Sequence, residues 1–265
     1  MATPSQPSQV IGVHLVGSIP LPDSQTVFEQ CCRQLPNRLK RIPDGETGER
    51  NYFTMWQFQR FSAAPQLVNQ FVMNTPGSLK EISAEQIDQG IAQLESANIR
   101  TGYDDVAIES YAVFKKLKQE GKVPKHVKFQ VSLPTPANVV IVLHHAARAR
   151  AFPIYERALY NAVRRLQDKI PAEDLSIQID LAVDTALWEG VYEKWWGEGD
   201  PKEGTVEFIL RMIAQVDQGV ELGLHNCYGR YSQSPTLDRF LRLITTRIQV
   251  TWSTNTGWSP HPSAP

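Results

Sequence analysis

The chain has 265 residues, 42% hydrophobic and 21% charged, with 27 basic against 28 acidic side chains and a net charge of −1. This is a globular composition. It has neither the basic excess of a nucleic-acid binder nor the basic cluster of a membrane-surface protein, so neither partner is expected. No run reaches the ~18 apolar residues of a membrane span, and the opening MATPSQPSQ lacks the basic-then-apolar pattern of a secretory signal. Three cysteines, two of them adjacent (Cys31 and Cys32), make no disulfide framework. A reducing compartment follows, and the expected location is cytoplasmic.

Residues 1–9 are rich in Pro, Ser and Gln and read as a disordered tail, as do residues 254–265. Residues 10–253 read as one domain. Its first expected strand is VIGVHLVG (Val10–Gly17), an apolar run of the kind buried on both faces of a parallel sheet. Asp23-Ser24 caps a helix through TVFEQCCRQL. A short strand, Leu39–Ile42, runs into the loop PDGETGERNYF (Pro43–Phe53), which holds Asp44, Glu46, Glu49 and Arg50. Asp-Gly marks a solvated turn. A strand-end loop with an arginine also suits the mouth of a barrel, where Arg50 would grip a substrate carboxylate or phosphate.

Residues 54–100 read as polar and mostly helical, with breaks at Pro65 and Pro76-Gly77. Asp105–Glu109 reads either as a short strand or as the first turn of the helix that ends at Gly121, and Glu109 is a candidate substrate contact. VKFQVSLPTP (Val127–Pro136) alternates as a strand should, with Ser132 near its end. Ala137–Ile170 reads as helix, broken near Pro153. His144 and His145 lie within it and are expected to pack or to lie at the surface rather than to ligate, since no partner stands at i±3 or i±4. LSIQIDLAV (Leu175–Val183) is the next strand, and Asp180 sits late in it, where a charge is costly unless paired or facing a site. Helix Val206–Gln218 leads to VELGLHNCYG (Val220–Gly229), whose His225 and Cys227 are two residues apart and so share a strand face. Helix Thr236–Thr246 and strand Ile248–Trp252 complete the series.

Strands separated by helices imply a parallel sheet with right-handed crossovers, either a doubly wound open sheet or a barrel. No G-x-G-x-x-G follows the first strand, which weakens a nucleotide-binding reading. Polar residues at strand ends (Ser18, Asp44, Ser132, Asp180, His225, Cys227) suit a barrel, in which chemistry gathers at the carboxyl ends of the strands. The expected class is α/β, of the TIM (β/α)8 type.

Several motifs together resemble one superfamily, the barrel shared by the catalytic half of cobalamin-independent methionine synthase and by uroporphyrinogen decarboxylase. VHLVGSIP (Val13–Pro20) is similar to the Gly-Ser-x-Pro strand end of methionine synthase. IQID (Ile177–Asp180) is similar to its Gln-x-Asp-Glu-Pro strand, and LHNCY (Leu224–Tyr228) to its zinc-binding His-x-Cys-Tyr. RIPDGETGER (Arg41–Arg50) and FQVSLPTP (Phe129–Pro136) look like a stand-alone fungal and bacterial subgroup, some members of which lie in secondary-metabolite gene clusters.

The resemblance implies a small-molecule transferase that moves a methyl group to a zinc-activated thiol or related nucleophile. It implies His225 and Cys227 as zinc ligands. Asp180, Asp44 and Glu46 are the expected catalytic carboxyls, with Ser18, Arg50, Glu109, Ser132 and Tyr228 contacting substrate. The pattern departs from the synthase: Leu181-Ala182 stands for Glu-Pro, and neither a glutamate nor a cysteine follows Cys227. The final barrel unit also looks shortened or diverged, so a homo-oligomer covering an open sheet edge is expected. The alternatives are a metal-independent decarboxylase-like or lyase-like enzyme, in which Asp44, Asp180 and Arg50 hold substrate, and a barrel that binds without catalysis.

Overall fold

The computed structural model describes residues 12–52, 54–69 and 81–227. In chain order they form α1 (Ser24–Gln34), β1 (Arg41–Pro43), three 3₁₀ turns (Gly48–Tyr52, Met55–Phe61, Pro65–Leu67), α2 (Ala84–Ser96), α3 (Tyr103–Gln119) and β2 (Lys128–Pro134). There follow α4 (Pro136–Val140), α5 (His145–Lys169), β3 (Leu175–Leu181), α6 (Val183–Trp188), α7 (Pro201–Ile213) and β4 (Glu221–Asn226). The strands form one sheet in the order β1-β2-β3-β4, and every neighbouring pair is parallel. The expected α/β class holds. Sequential parallel strands joined by helices give a sheet that winds in one direction, with no reversal of strand order. Among the described residues no helix is long and apolar enough to cross a membrane.

The two faces of this sheet are chemically opposite. β2 turns Phe129, Val131 and Leu133 to one side and Gln130 and Ser132 to the other; β3 does the same with Ile177, Ile179 and Leu181 against Ser176, Gln178 and Asp180. The apolar side packs against helices. Phe129 meets Phe28 of α1 at 6.0 Å and Phe114 of α3 at 5.5 Å between ring centroids. All three rings are fully buried, and losing any one would cost about 3–5 kcal/mol.

The polar side is concave. Gln130 donates to the carbonyls of Leu15 and Val16, and Gln178 donates to Val16 at 2.8 Å. Val13 bridges Leu39 beside β1, so in a flat sheet this segment would lie about 14 Å from β3. A glutamine cannot span that gap, so residues 14–16 must lean over the polar face. At the amino ends of the strands, Arg41 of β1 pairs across the same hollow with Glu221 of β4 at 2.7 Å.

Several expectations are corrected here. The described part of Val10–Gly17 makes one bridge rather than a strand, because side-chain amides take up the Leu15 and Val16 carbonyls in place of a ladder. The first strand is Arg41–Pro43, not Leu39–Ile42. Asp105–Glu109 lies inside α3, whose first turn carries Asp104 and Asp105, as suits a helix N-terminus. The helical break falls at residues 141–144, not at Pro153. His144 causes it: its backbone N–H bonds Leu67 O at 2.7 Å, and its ring accepts from Ala146 N to cap α5. Pro153 removes one ladder bond, but α5 runs through it on a buried face that includes Phe152, Ile154 and Tyr155. Tyr228, helix Thr236–Thr246, strand Ile248–Trp252 and both expected tails lie outside the described residues.

Candidate functional site at the carboxyl ends of the strands

β3 and β4 are in register with Asp180 opposite His225. Parallel pairing puts both side chains on the polar face, and His225 Nδ1 lies 2.9 Å from Asp180 Oδ1. Gln178, two residues earlier on the same face, donates to the same oxygen at 2.8 Å. Gln178 Oε1 in turn faces His14 Nε2 at 2.8 Å. The amide group of Gln178 points at two acceptors, Asp180 and Val16 O, so its oxygen meets a protonated His14 Nε2. His14, Gln178, Asp180 and His225 thus form one hydrogen-bonded row. Asp180 is only 6% exposed, and burial raises its pKa even though His225 opposes the shift. Its hydrogen bond raises the pKa of His225. Burial lowers that of His14.

A second group comes from the loop after β1. Gly45 has φ +84°, and a Cβ there would lie 2.6 Å from Val27 Cγ2, so only glycine makes this turn. The turn directs Glu46 under Gly17 and Ser18, and Ser18 Oγ donates to Glu46 Oε2. Gly17 leaves room for it: a Cβ there would lie 2.9 Å from Glu46 Oε1. Glu46 is 9% exposed, and burial, with Asp180 and Asp44 nearby, raises its pKa to about 7. Asp44 is held by the fork of Arg50 at 3.1 and 2.8 Å, by Ser110 Oγ at 2.8 Å and by Glu46 N at 3.0 Å.

The expected residues therefore divide. Asp180 and His225 meet directly. Glu46, Ser18 and Asp44 join them, close enough for Asp180 to act on Glu46. Ser132 holds Val16 O at 3.1 Å and lines the same region. Arg50 turns its fork to Asp44 rather than to open space, because a buried carboxylate needs a cation. Glu109 is exposed on α3, and the next residue, Ser110, reaches the site, since one residue on a helix is a rotation of about 100°. Cys227 is exposed, its backbone N–H bonded to Leu181 O at 2.7 Å. Tyr228 is outside the described residues. Gln130, Gln178, His14 and Ser110 were not among the expected site residues. The period-two polar residues of β2 and β3 were the signal that pointed to the two glutamines.

Among the described residues, no group of three or more His, Cys, Asp or Glu is placed to hold a metal. A carboxylate on Nδ1 is the usual support of a zinc-binding imidazole, so His225 is suitably oriented. With Cys227 it makes two donors, short of the three of a catalytic zinc site. The described residues do not by themselves fit that ion. Comparison with protein families, with curated proteins and with solved structures finds no match.

Proposed function

We propose that this chain is a small-molecule transferase of the methionine-synthase type, its parallel sheet part of a (β/α)8 barrel with the site at the strands' carboxyl ends. The observation that supports this reading is the Asp180–His225 pair, 2.9 Å apart at the ends of adjacent parallel strands. Asp180 holds Nδ1 and leaves Nε2 available. His225 takes the proton from a thiol or related nucleophile at Nε2, and the nucleophile's electron pair then forms the new bond to the methyl carbon. The bond from that carbon to the donor breaks, and the donor leaves with the electron pair. Glu46, with a pKa of about 7, is the acid that protonates it. Asp180 stabilises the imidazolium formed in the first step.

The test is product formation from a panel of small thiols and methyl donors. Wild-type protein forms the methyl thioether, and Asp180→Asn and His225→Asn each lose about 100-fold or more. Equal activity in Asp180→Asn contradicts the reading. One zinc per chain by elemental analysis, lost in His225→Ala and Cys227→Ser, would make His225 a ligand instead of a base. A metal-independent decarboxylase would use the same carboxyls with a carboxylated substrate, and carbon dioxide release from such a panel would reveal it.

A further inference from the structure

Residues 14–18 lie over the polar face with little backbone support. Val13 N–H bonds Arg38 O and Ile19 N–H bonds Gly45 O, each at 2.9 Å, and the residues between make no backbone–backbone hydrogen bond among the described residues. Side chains hold this strap instead. Gln130 Nε2 donates to Leu15 O at 3.1 Å and to Val16 O at 2.9 Å. Ser132 Oγ and Gln178 Nε2 donate to the same Val16 oxygen at 3.1 and 2.8 Å. A carbonyl oxygen has two lone pairs, so three donors exceed what its own satisfaction needs. Gln130 is also 1% exposed, and a buried amide on a strand costs more than an apolar side chain unless its bonds are used. Both features suit a clamp.

His14 and Ser18 stand two residues either side of Val16, and both reach the site: His14 Nε2 meets Gln178 Oε1, and Ser18 Oγ donates to Glu46. We propose that Gln130, with Ser132, is a positioning residue for the catalytic acid: it fixes the strap at Leu15 and Val16 so that the Ser18 hydroxyl stays on the Glu46 carboxylate. That Glu46 then donates a proton rests on the transferase reading; the path from Gln130 through Ser18 to Glu46 does not. Burial raises the pKa of Glu46, and the bond from Ser18 opposes that rise by favouring the charged form. The charged and titratable groups that act with Glu46 are Asp44, Arg50, Asp180, Tyr103 and His225, and Gln130 hydrogen-bonds to none of them. Loosening the strap therefore reaches Glu46 through Ser18.

The test is a double-mutant cycle in the full-length protein, read as the titration midpoint of the Glu46 carboxyl by carbon-detected NMR. Ser18→Ala is expected to raise that midpoint by about one pH unit. Gln130→Met, similar in length but without a donor, is expected to raise it by about half a unit or more. In the Ser18→Ala background Gln130→Met is expected to add nothing, because the hydroxyl it positions is gone. A Gln130 that served the fold alone would lower stability to urea and leave the Glu46 midpoint in place. An unchanged midpoint in folded Gln130→Met, or an equal rise with and without Ser18, overturns the proposal. Should Gln130→Met not fold, Ser132→Ala removes another donor to Val16 O; a smaller rise that vanishes in the Ser18→Ala background supports the clamp, and no rise overturns it.

Discussion

Two buried carboxyls at the strand ends, Asp184 and Glu46, have similar electrostatics and different surroundings. Burial raises both pKa values, Asp184 to about 6 and Glu46 to about 7. Asp184 is surrounded by donors: Thr135 Oγ1 at 2.7 Å, Asn138 Nδ2 at 2.9 Å and Ala182 N at 3.2 Å. Asn138 also bonds Asp180 O and Val183 N, so the cluster ties the end of β3 to the start of α4. Glu46 has one hydroxyl, Ser18, and two carboxylates that act against its charge, opposed in part by the Arg50 guanidinium. A raised pKa alone does not separate scaffold from chemistry. The partners do: a carboxyl saturated with donors holds the backbone, whereas one left among like charges keeps a proton to give.

That contrast predicts opposite results. Asp184→Ala leaves Thr135 and Asn138 buried without their acceptor and should cost about 3 kcal/mol in urea unfolding. Glu46→Gln should instead stabilise the protein above pH 7. Folded Glu46 keeps its proton up to about pH 7, whereas an unfolded glutamate loses it near 4.5. Between those values the native state binds more protons, so wild-type stability falls as pH rises. Glu46→Gln should remove about 3 kcal/mol of that fall, measured as the difference in unfolding free energy between pH 4.5 and 8. A Glu46→Gln variant with the wild-type pH slope would put Glu46 with Asp184 on the structural side.

Smaller effects come from α3. Ser110→Ala removes one bond to Asp44 and should cost about 1 kcal/mol. Glu109→Ala, one residue away and exposed, should change stability by less than about 0.5 kcal/mol. Equal losses would mean that α3 presents the other face to the site.

Much of this was legible in the sequence because strands and their faces follow period two. Ser176, Gln178 and Asp180 alternate with Leu175, Ile177, Ile179 and Leu181, and both the strand and its polar face are readable from that. The Gly45 turn was also visible, through Asp44-Gly45. What was not legible depends on contacts between distant segments. Only the fold brings Gln130 to the carbonyls of Leu15 and Val16, and the apolar run that suggested a strand at Val10–Gly17 is indifferent to them. Arg50 looked free because its partner, Asp44, is also a site residue six positions earlier. Glu109 was chosen with the strand and helix readings both open, and the helix turns it away.

The central claim is that Asp180 holds His225 by Nδ1 and raises its affinity for protons. A nitrogen-detected NMR titration of the His225 ring in wild type and Asp180→Asn tests it most directly. The account predicts a wild-type midpoint above that of an ordinary histidine, with the neutral ring protonated at Nδ1, and a lower midpoint once the carboxylate is gone. A His225 that titrates identically in both proteins would contradict it.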